Sequence, residues 1–514
     1  METDSGRTTS VWMATAGEAE SERLAGDASA DVCVVGAGIA GLSVAYHLSR
    51  EGKSVVVLDD GPVAGGETAR TTAHLVNALD ERYYEIERLH GERGARLAAE
   101  SHTAAVDAIE KAIEEEGIEC DFRRLDGYLF VAPGRENDEL GEELRAAHRS
   151  GLTEVEYVGR VPYDGYNFGA ALRFPYQGQF HILKYTAGLA AAIRRRGGRV
   201  YTRAHADVIE GGPEARVVTS EGFTVRAGSI VVATNSPVND IVTIHTKQAP
   251  YRTYVVGVRV PAGSIPHMLL WDTEDPYHYV RLQTVKDDAG QALHDVLIVG
   301  GEDHKTGQAD DYDERFRCLE EWTRERFPEA GAVEYRWSGQ VMEPVDGLAF
   351  IGRNPGDADN VYIATGDSGN GMTHGTIAGL LITDLILGRE NEWATLYDPS
   401  RLSLRSGVEF ARENLNVAAQ LTDYVTPGEV ASADEVAPGS GAILRRGLKK
   451  VAVHRDESGA LHEFSAVCVH LGCIVDWNDK EKTWDCPCHG SRYSPTDGHA
   501  VNGPAISGLG AAEE

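Results

Sequence analysis

The stretch between Asp31 and Asp60, DVCVVGAGIAGLSVAYHLSREGKSVVVLDD, constrains the fold more than any other part of the chain. The apolar run at 32–35 predicts a buried strand, the glycines after it predict a turn into a helix, and the apolar run at 54–58 predicts a second, parallel strand. In such a βαβ unit the glycines allow a tight turn, close approach of a pyrophosphate and close helix packing, while a final acid binds a ribose hydroxyl. The unit predicts a dinucleotide site formed by Gly36, Gly38, Ile39, Ala40, Gly41, Asp59 and Asp60.

Three later segments extend the predicted site. A loop of small and hydroxyl-bearing residues follows the second strand, an apolar strand ends at 233–235, and a glycine-rich turn at 366–375 leads into an apolar helix. Backbone N–H groups at that turn, together with the helix dipole, would stabilise the negative charge of a reduced flavin. Taken singly, the strand also fits an ordinary buried strand and the turn fits a plain loop. With Val208 and Gly352, the predicted cofactor-binding residues are Gly66, Glu67, Thr68, Arg70, Thr71, Thr72, Ala73, His74, Ala233, Thr234, Asn235, Gly366, Asp367, Ser368, Gly369, Gly371, Met372 and Thr373.

The sequence shows no second strand, glycine turn and helix with an acid of its own. A pyridine-nucleotide disulfide reductase would need such a unit for its nicotinamide domain. We therefore predict that the single nucleotide site holds FAD and that reducing equivalents come directly from a small substrate.

Size and charge narrow the class of protein. The chain has 514 residues, more than one hydrophobic core usually serves, which predicts two or three domains. Its formal net charge of −31 argues against nucleic acid or an anionic membrane as a partner, because both require clustered Lys and Arg. No apolar run approaches the ~18 residues of a spanning helix, and the N-terminus lacks the basic and apolar regions of a signal peptide. We therefore expect no membrane span and a cytoplasmic protein.

Two short segments near the C-terminus carry a metal-binding pattern. Cys468 and His470, followed by Cys486 and His489, form C-x-H-x15-C-x-x-H. A Rieske-type [2Fe–2S] centre needs this set, with two Cys on one iron and two His on the other. Zinc is the competing metal, because two Cys and two His also satisfy a tetrahedral site.

Several neighbouring residues favour the iron–sulfur interpretation, because a zinc site does not require them: Gly472, Cys473, Pro487, Cys488, Gly490, Ser491 and Tyr493. With them, residues 430–506 resemble Rieske proteins of the cytochrome bc-complex kind. The resemblance implies that Cys468, His470, Cys486 and His489 are the cluster ligands and that Cys473 and Cys488 form a disulfide. It also implies that the hydroxyls of Ser491 and Tyr493 donate to cluster sulfurs.

Four features of the first 390 residues recur in one enzyme family. They are the glycine turn with Asp59, the strand end at 232–234, the segment YRWSGQ leading to 346–352, and the turn at 366–371. Together they resemble the D-amino-acid oxidase family of FAD-dependent oxidoreductases, over about residues 28–390. The resemblance implies oxidation of a C–N bond by hydride transfer from the carbon that bears a neutral amine. His74 could tether the flavin covalently, as a His of this region does in some amine-oxidising relatives.

The substrate is less defined. Amino-acid oxidases of this family commonly carry a carboxylate-binding Arg just after the Trp and Gly of this segment, where this chain has Gln340-Val341-Met342. The segment is closer to amine oxidases that act on polyamine derivatives, although Arg252, Arg281 or Arg336 could bind a carboxylate from elsewhere. Aromatic residues on strands of the inserted domain could form a wall around a cation, although each also fits core packing. These candidate catalytic residues are Tyr251, Trp271, His278, Tyr279 and Trp337.

The predicted fold is α/β plus β: a Rossmann-like FAD-binding domain with an inserted antiparallel-sheet substrate domain, then a small all-β domain. The expected ranges are an N-terminal tail at 1–28, the oxidoreductase at 29–395, a helical connector at 396–428 and the Rieske domain at 429–514; within the oxidoreductase, FAD-binding parts fall at 29–115, 181–240 and 336–395, and substrate parts at 116–180 and 241–335. We expect oxidation of an amine or amino-acid-like substrate, with electrons passing through the cluster to an external one-electron carrier. The alternatives are the reverse direction, in which the cluster feeds a reductase or monooxygenase-like flavin, and a non-catalytic redox sensor.

Overall fold

The computed structural model describes residues 5–17, 20–131, 138–239, 244–287, 289–401 and 407–512. Its helices are α1 (Val11–Thr15), α2 (Ile39–Arg50), α3 (Tyr83–Glu116), α4 (Asp138–Arg149), α5 (Ile182–Arg195), α6 (Tyr312–Arg326), α7 (Gly371–Ile386), α8 (Ala394–Tyr397) and α9 (Gly407–Gln420). The backbone of α3 leaves the helical region at Gly91, so that α3 is two helices joined at a kink. No helix in these ranges is both long enough and apolar enough to span a bilayer.

The strands form four sheets. In the first 400 residues they are β1 (Ala28–Val35), β2 (Val55–Leu58), β3 (His74–Leu75), β4 (Arg123–Phe130), β5 (Glu156–Val158), β6 (Ala171–Gln179), β7 (Arg199–Tyr201), β8 (Ala206–Glu210), β9 (Arg216–Thr219), β10 (Thr224–Val232), β11 (Gln248–Val260), β12 (Leu269–Asp272), β13 (His278–Lys286), β14 (Ala292–Lys305), β15 (Val333–Pro344), β16 (Phe350–Arg353) and β17 (Val361–Thr365). After them come β18 (Ser440–Arg446), β19 (Lys449–Arg455), β20 (Leu461–Ser465), β21 (Asp476–Asn478), β22 (Thr483–Asp485), β23 (Arg492–Tyr493) and β24 (Ala500–Asn502).

The first sheet has the order β16-β17-β10-β1-β2-β7, and its central strands are parallel. Every residue of β2 is buried, as expected for a parallel strand covered on both faces. Helix α2 begins directly after the glycine turn and packs against α7, where Gly379 lies opposite Ser43 and a Cβ atom at residue 379 would crowd it. The predicted βαβ unit is therefore present.

The second sheet runs β15-β11-β14-β13-β12-β4-β6-β3, antiparallel except for the β4–β12 pair. Phe316, Leu319 and Trp322 of α6 pack into one apolar core with residues of this sheet, among them Tyr254 of β11. Two strands of this sheet fall wholly or partly in ranges predicted for FAD binding: β3 pairs with β6, and β15, which contains residue 336, pairs with β11 along its length.

The C-terminal part contains a three-stranded sheet, β18-β19-β20, and a four-stranded sheet, β21-β22-β23-β24. The rings of Trp477 and Trp484 meet between the two sheets, with their centroids 4.9 Å apart, and Gly441 packs against both. The chain therefore has the expected small all-β unit, preceded by α9 within the predicted connector.

The described part of the predicted N-terminal tail is docked on the body. Val11, Trp12 and Met13 of α1 are buried, and the Trp12 indole donates to the Thr71 carbonyl at 2.6 Å. The Arg281 guanidinium lies 5.0 Å from the Trp12 ring. This short apolar helix therefore closes one side of the loop that follows β2.

Candidate active site and metal centre

A deep cleft begins at the glycine turn after β1. Gly36 has φ +105°, and a Cβ atom there would overlap the Ala233 carbonyl at the end of β10. A Cβ atom on Gly41 would overlap the Gly36 carbonyl, so α2 packs directly on the turn. The Asp59 carboxylate accepts hydrogen bonds from the backbone N–H groups of Ala37 at 2.5 Å and of Gly61 at 2.8 Å. The turn and the acid are thus next to each other, as a dinucleotide site requires.

Most of the predicted cofactor-binding residues line this one cleft. The structure brings together Gly36, Gly38, Ile39, Ala40, Asp59, Asp60, Gly66, Glu67, Thr68, Arg70, Thr71, Thr72, His74, Ala233, Thr234, Asn235, Gly366, Asp367, Gly369, Gly371 and Met372. They come from the glycine turn, the loop after β2, the end of β10 and the start of α7. These elements meet because the carboxyl ends of parallel strands share one edge of the sheet.

Four other predicted residues lie behind that lining. Gly41 supports the turn, and the Ala73 carbonyl accepts a hydrogen bond from Arg281 at 2.8 Å. The Ser368 hydroxyl donates to Glu343 at 2.8 Å, and the Thr373 hydroxyl lies 2.8 Å from His102 Nδ1. These residues contact the cleft wall from its protein side.

Two predicted cofactor residues lie away from the cleft lining. Val208 is 38% exposed, because it lies on β8, outside the parallel core of the sheet. Gly352 lies on β16 and packs against Pro399. The pattern of a strand does not by itself show which of its residues reach a cleft, and the cofactor role of these two residues stays a prediction.

The candidate substrate wall divides in the same way. Trp271 and Tyr279 line the cleft. His278 does not, because successive residues of β13 point to opposite faces; it stacks on Trp322, and its Nδ1 lies 2.8 Å from Asp272.

Tyr251 and Trp337 also lie outside the cleft lining. Tyr251 is half-buried beside Lys305, whose ammonium is 5.9 Å from the ring. Trp337 is fully buried and donates to the Arg70 carbonyl at 2.8 Å, so that it fixes the cleft wall from behind. The structure therefore places His278, Tyr251 and Trp337 in packing positions, which agrees with the alternative that these aromatic residues belong to the core.

Four residues that the sequence did not single out line the cleft together with Trp271 and Tyr279: Asp80, Thr253, Tyr277 and Asp303. The Tyr277 hydroxyl donates to Asp80 at 3.1 Å. The hydroxyls of Thr253 and Tyr279 share a hydrogen bond of 2.6 Å. Tyr277 could have been found from its spacing of two from Tyr279, but nothing local marks the two acids.

The cysteine and histidine segments form two matching loops. The Cys468 N–H donates to the Cys473 carbonyl at 2.8 Å, and the Cys486 N–H donates to the Ser491 carbonyl at 2.8 Å. The disulfide between Cys473 and Cys488, which the Rieske resemblance implies, joins the two loops. The loops are thereby held face to face.

Four potential ligands converge between these loops. The rings of His470 and His489 are 5.0 Å apart, and the Tyr493 hydroxyl lies 3.0 Å from the Cys468 sulfur. His489 Nδ1 is buried and has no hydrogen-bond partner among the described residues, as expected of a nitrogen that binds a metal. Two thiols and two imidazoles in this arrangement fit a [2Fe–2S] centre.

The cluster loops and the cleft are neighbours. Residues 500–503, 505 and 506 of the C-terminal part form one wall of the cleft. The Asn502 amide donates to Glu67 at 3.1 Å, and His205 Nε2 lies 2.8 Å from the Ile506 carbonyl. The Gln340 side chain, which lines the cleft, donates to the Gly490 carbonyl at 3.1 Å, one residue from His489.

A buried network of charges holds this contact. Glu481 is completely buried. Its carboxylate lies 3.1 Å from the Arg70 guanidinium and 3.9 Å from the Arg252 guanidinium. Hydrogen bonds from the hydroxyls of Thr8 and Ser338 reach the same carboxylate. Burial opposes ionisation of Glu481, but the surrounding arginines outweigh it and hold its pKa at about 2. One ionised side chain of the C-terminal part thus joins the N-terminal segment, the loop that follows β2 and the second sheet.

Comparison with known proteins agrees with this arrangement. Residues 31–385 match the family model "FAD dependent oxidoreductase", and residues 426–512 match the model "Rieske [2Fe-2S] domain". The Rieske 2Fe-2S iron-sulfur protein YhfW of Bacillus subtilis is 31% identical over 94% of this chain and 93% of its own length. Gamma-glutamylputrescine oxidoreductase of Escherichia coli is 30% identical over 70% of this chain and 84% of its own length.

Among solved structures, glycine oxidase from Geobacillus kaustophilus has a TM-score of 0.60 at 18% identity, covering 73% of this chain and 99% of that one. At this identity the likeness shows the fold. The family models imply that FAD binds in the cleft and that a [2Fe–2S] cluster binds between the two loops. The chain therefore belongs to the FAD-dependent oxidoreductase family and carries a C-terminal Rieske [2Fe–2S] domain.

Proposed function

We propose that the chain oxidises a C–N bond of an amine or amino-acid-like substrate and passes the electrons through its own Rieske cluster to an external one-electron carrier. The observation that carries this proposal is the shared wall, because residues 500–503 of the cluster domain line the cleft itself. Bound FAD would accept a hydride from the substrate, and the cluster would take single electrons. A covalently attached acceptor is always present at a high effective concentration.

The protein groups have separate tasks in this proposal. The glycine turn and Asp59 hold the nucleotide end of FAD, and the start of α7 presents backbone N–H groups where negative charge would develop. Cys468, His470, Cys486 and His489 are the proposed cluster ligands, and Trp271 and Tyr279 the proposed substrate contacts. The predicted domain ranges are part of the same proposal, with β15 moved to the substrate sheet.

Gln340 supports the proposed route between the two centres. Its backbone N–H donates to Glu67 at 2.6 Å, and its side chain donates to the Gly490 carbonyl at 3.1 Å. Both Gln340 and Glu67 line the cleft, whereas Gly490 follows His489 directly. One side chain therefore spans the distance between the cleft and the loop of a cluster ligand.

The test is anaerobic stopped-flow mixing of the holoenzyme with a panel of amines and amino acids. We expect bleaching of the flavin absorbance, followed by the spectral change of cluster reduction. A Cys486→Ser variant, which should lose the cluster, is the control and should bleach without the second phase. Bleaching of the wild type with an unchanged cluster spectrum would refute the relay, and an unreacted flavin with every compound would refute the oxidation.

A further inference from the structure

The substrate end of the cleft combines aromatic rings with two acids. Tyr277 and Tyr279 have ring centroids 5.6 Å apart, and Trp271 lines the same region. Asp80 accepts from Tyr277 on one side. Asp303 lies on the other side, near the Thr253 hydroxyl that is bonded to Tyr279. The two carboxylates thus flank one pair of tyrosine rings.

Neither acid forms an ion pair with a described residue. Asp303 Oδ1 is buried and accepts no hydrogen bond from any described residue. Burial raises the pKa of Asp303 to about 7 and also raises the pKa of Asp80. A buried carboxylate without a cation is costly, and the cost falls when a positive ligand arrives.

The nearby cations are held by other groups. Arg82 donates to the backbone carbonyls of Leu79, Asp80 and Asp272. Arg315 donates to the carbonyls of residues 302 and 303, and its other nitrogens pair with Asp311. His74, which also lines the cleft, has its pKa lowered to about 3 by burial and is neutral.

The arginines that could bind a substrate carboxylate lie elsewhere. Arg281 donates to backbone carbonyls of residues 72, 73 and 180, and Arg336 pairs with Glu320 near the surface. Arg252 donates to Ser338 in the buried network around Glu481. The described residues that line the cleft include one arginine, Arg70. Its guanidinium is bonded to Glu481, Ser338 and Thr8.

We propose that the substrate is a cationic amine without a carboxylate on its reacting carbon, and that the Asp303 and Asp80 carboxylates bind its ammonium group beside Tyr277 and Tyr279. Where the bound nitrogen is the reacting one, its proton passes to the Asp303 carboxylate before the hydride leaves the carbon, because only the neutral amine can form the C=N bond. The inference rests on the proposed oxidation of a C–N bond and names the substrate class. Two acids supply charge, and the tyrosine faces supply cation–π attraction. A carboxylate next to the reacting carbon would face these acids, and the described residues that line the cleft offer no unpaired cation to bind it.

The first test uses the oxidised holoenzyme and tetramethylammonium, a cation that cannot be oxidised to an imine because its nitrogen has no lone pair. Binding of the cation is measured from the change that it causes in the flavin absorbance. We expect binding to the wild type and a loss of affinity of more than about tenfold in Asp303→Asn. Glu302→Gln is the matched control, because Glu302 is the neighbouring acid on β14 but lies outside the cleft lining; it should bind as the wild type does.

The second test compares alkyl monoamines and diamines with α-amino acids as reductants of the flavin. Faster reduction by the amines, and a raised KM in Asp303→Asn, would support the inference. Faster reduction by α-amino acids would overturn it, as would equal tetramethylammonium affinity in the wild type and Asp303→Asn. Retained, Asp303-dependent cation binding with no reduction by either class would count against the proposed oxidation rather than against the cation site.

Discussion

Two groups of buried acids in this protein have opposite surroundings. At the domain interface, Glu481 lies among Arg70, Arg252 and Arg492, and its pKa is held at about 2. In the cleft, burial dominates at Asp303 and raises its pKa to about 7. The same carboxyl group is therefore ionised and paired with arginines at the domain interface, whereas in the cleft burial favours its protonated form.

The difference in surroundings predicts different roles for the interface acid and the cleft acids. A buried carboxylate that is surrounded by arginines is neutralised by the protein itself, so it can join segments that are distant in the chain. A buried carboxylate that faces an aromatic cleft is neutralised only by what enters the cleft. The interface therefore belongs to the folded structure, whereas the cleft acids are reserved for a ligand.

The largest expected effect is on stability. Glu481→Gln removes the central anion and leaves buried arginines without it, which should cost about 3–5 kcal/mol. The measurement is chemical denaturation followed by near-UV circular dichroism. Glu320→Gln is the control. It removes an ion pair with Arg336 near the surface and should lower the free energy of unfolding by about 0–1 kcal/mol. Equal losses in the two variants would contradict the role given to the interface network.

The pH dependence of that loss has a defined sign. The pKa of Glu481 is lowered from 4.5 to about 2, so its contribution is fully present above pH 4.5 and is lost as the pH falls toward 2. The stability difference between wild type and Glu481→Gln should therefore shrink between pH 5 and pH 3 in the same denaturation experiment. A difference that grows in that range would show that Glu481 is not the ionised partner.

Asp303→Asn should have a smaller effect, in the opposite direction. The pKa of Asp303 is raised from 3.8 to about 7, so the native state favours its protonated form, and the wild type loses stability as the pH rises between these values. Asp80 and Glu302 act with burial, while Arg315 and the Thr253 hydrogen bond oppose it. Without substrate, Asp303→Asn should be more stable than the wild type at pH 8 and equal to it at pH 4. A variant less stable than the wild type at pH 8 would contradict this balance.

The smallest expected effect concerns Gln340, which lies between the two regions. Gln340→Leu removes the hydrogen bond to the Gly490 carbonyl and should cost about 0.5–1.5 kcal/mol. We expect the rate of flavin reduction by substrate to be unchanged and the rate of cluster reduction to fall, as measured by stopped-flow absorbance. Unchanged rates in both phases would exclude Gln340 from the proposed route, and Gln308→Leu, which removes the hydrogen bond to the Pro487 carbonyl in the same loop, is the matched control.

Features that depend on neighbouring residues in the chain were predictable. The glycine turn with Asp59 lies within one βαβ unit, and the four proposed cluster ligands lie within two short loops whose spacing is visible in the sequence. The disulfide came from the same local resemblance. Local spacing is sufficient there, because the backbone of a tight turn fixes the directions of the groups that it carries.

The tertiary structure decided which distant side chains share a cavity. Asp80 precedes α3, Tyr277 precedes β13 and Asp303 lies near the end of β14, so only the tertiary structure brings them together. The face of a strand separated Tyr279 from His278, since a shift of one residue reverses the side on which a side chain lies. Charge balance was also a tertiary outcome: the sequence contains the arginines and the acids, but burial and the docking of the C-terminal domain determine that Glu481 receives arginines and Asp303 does not.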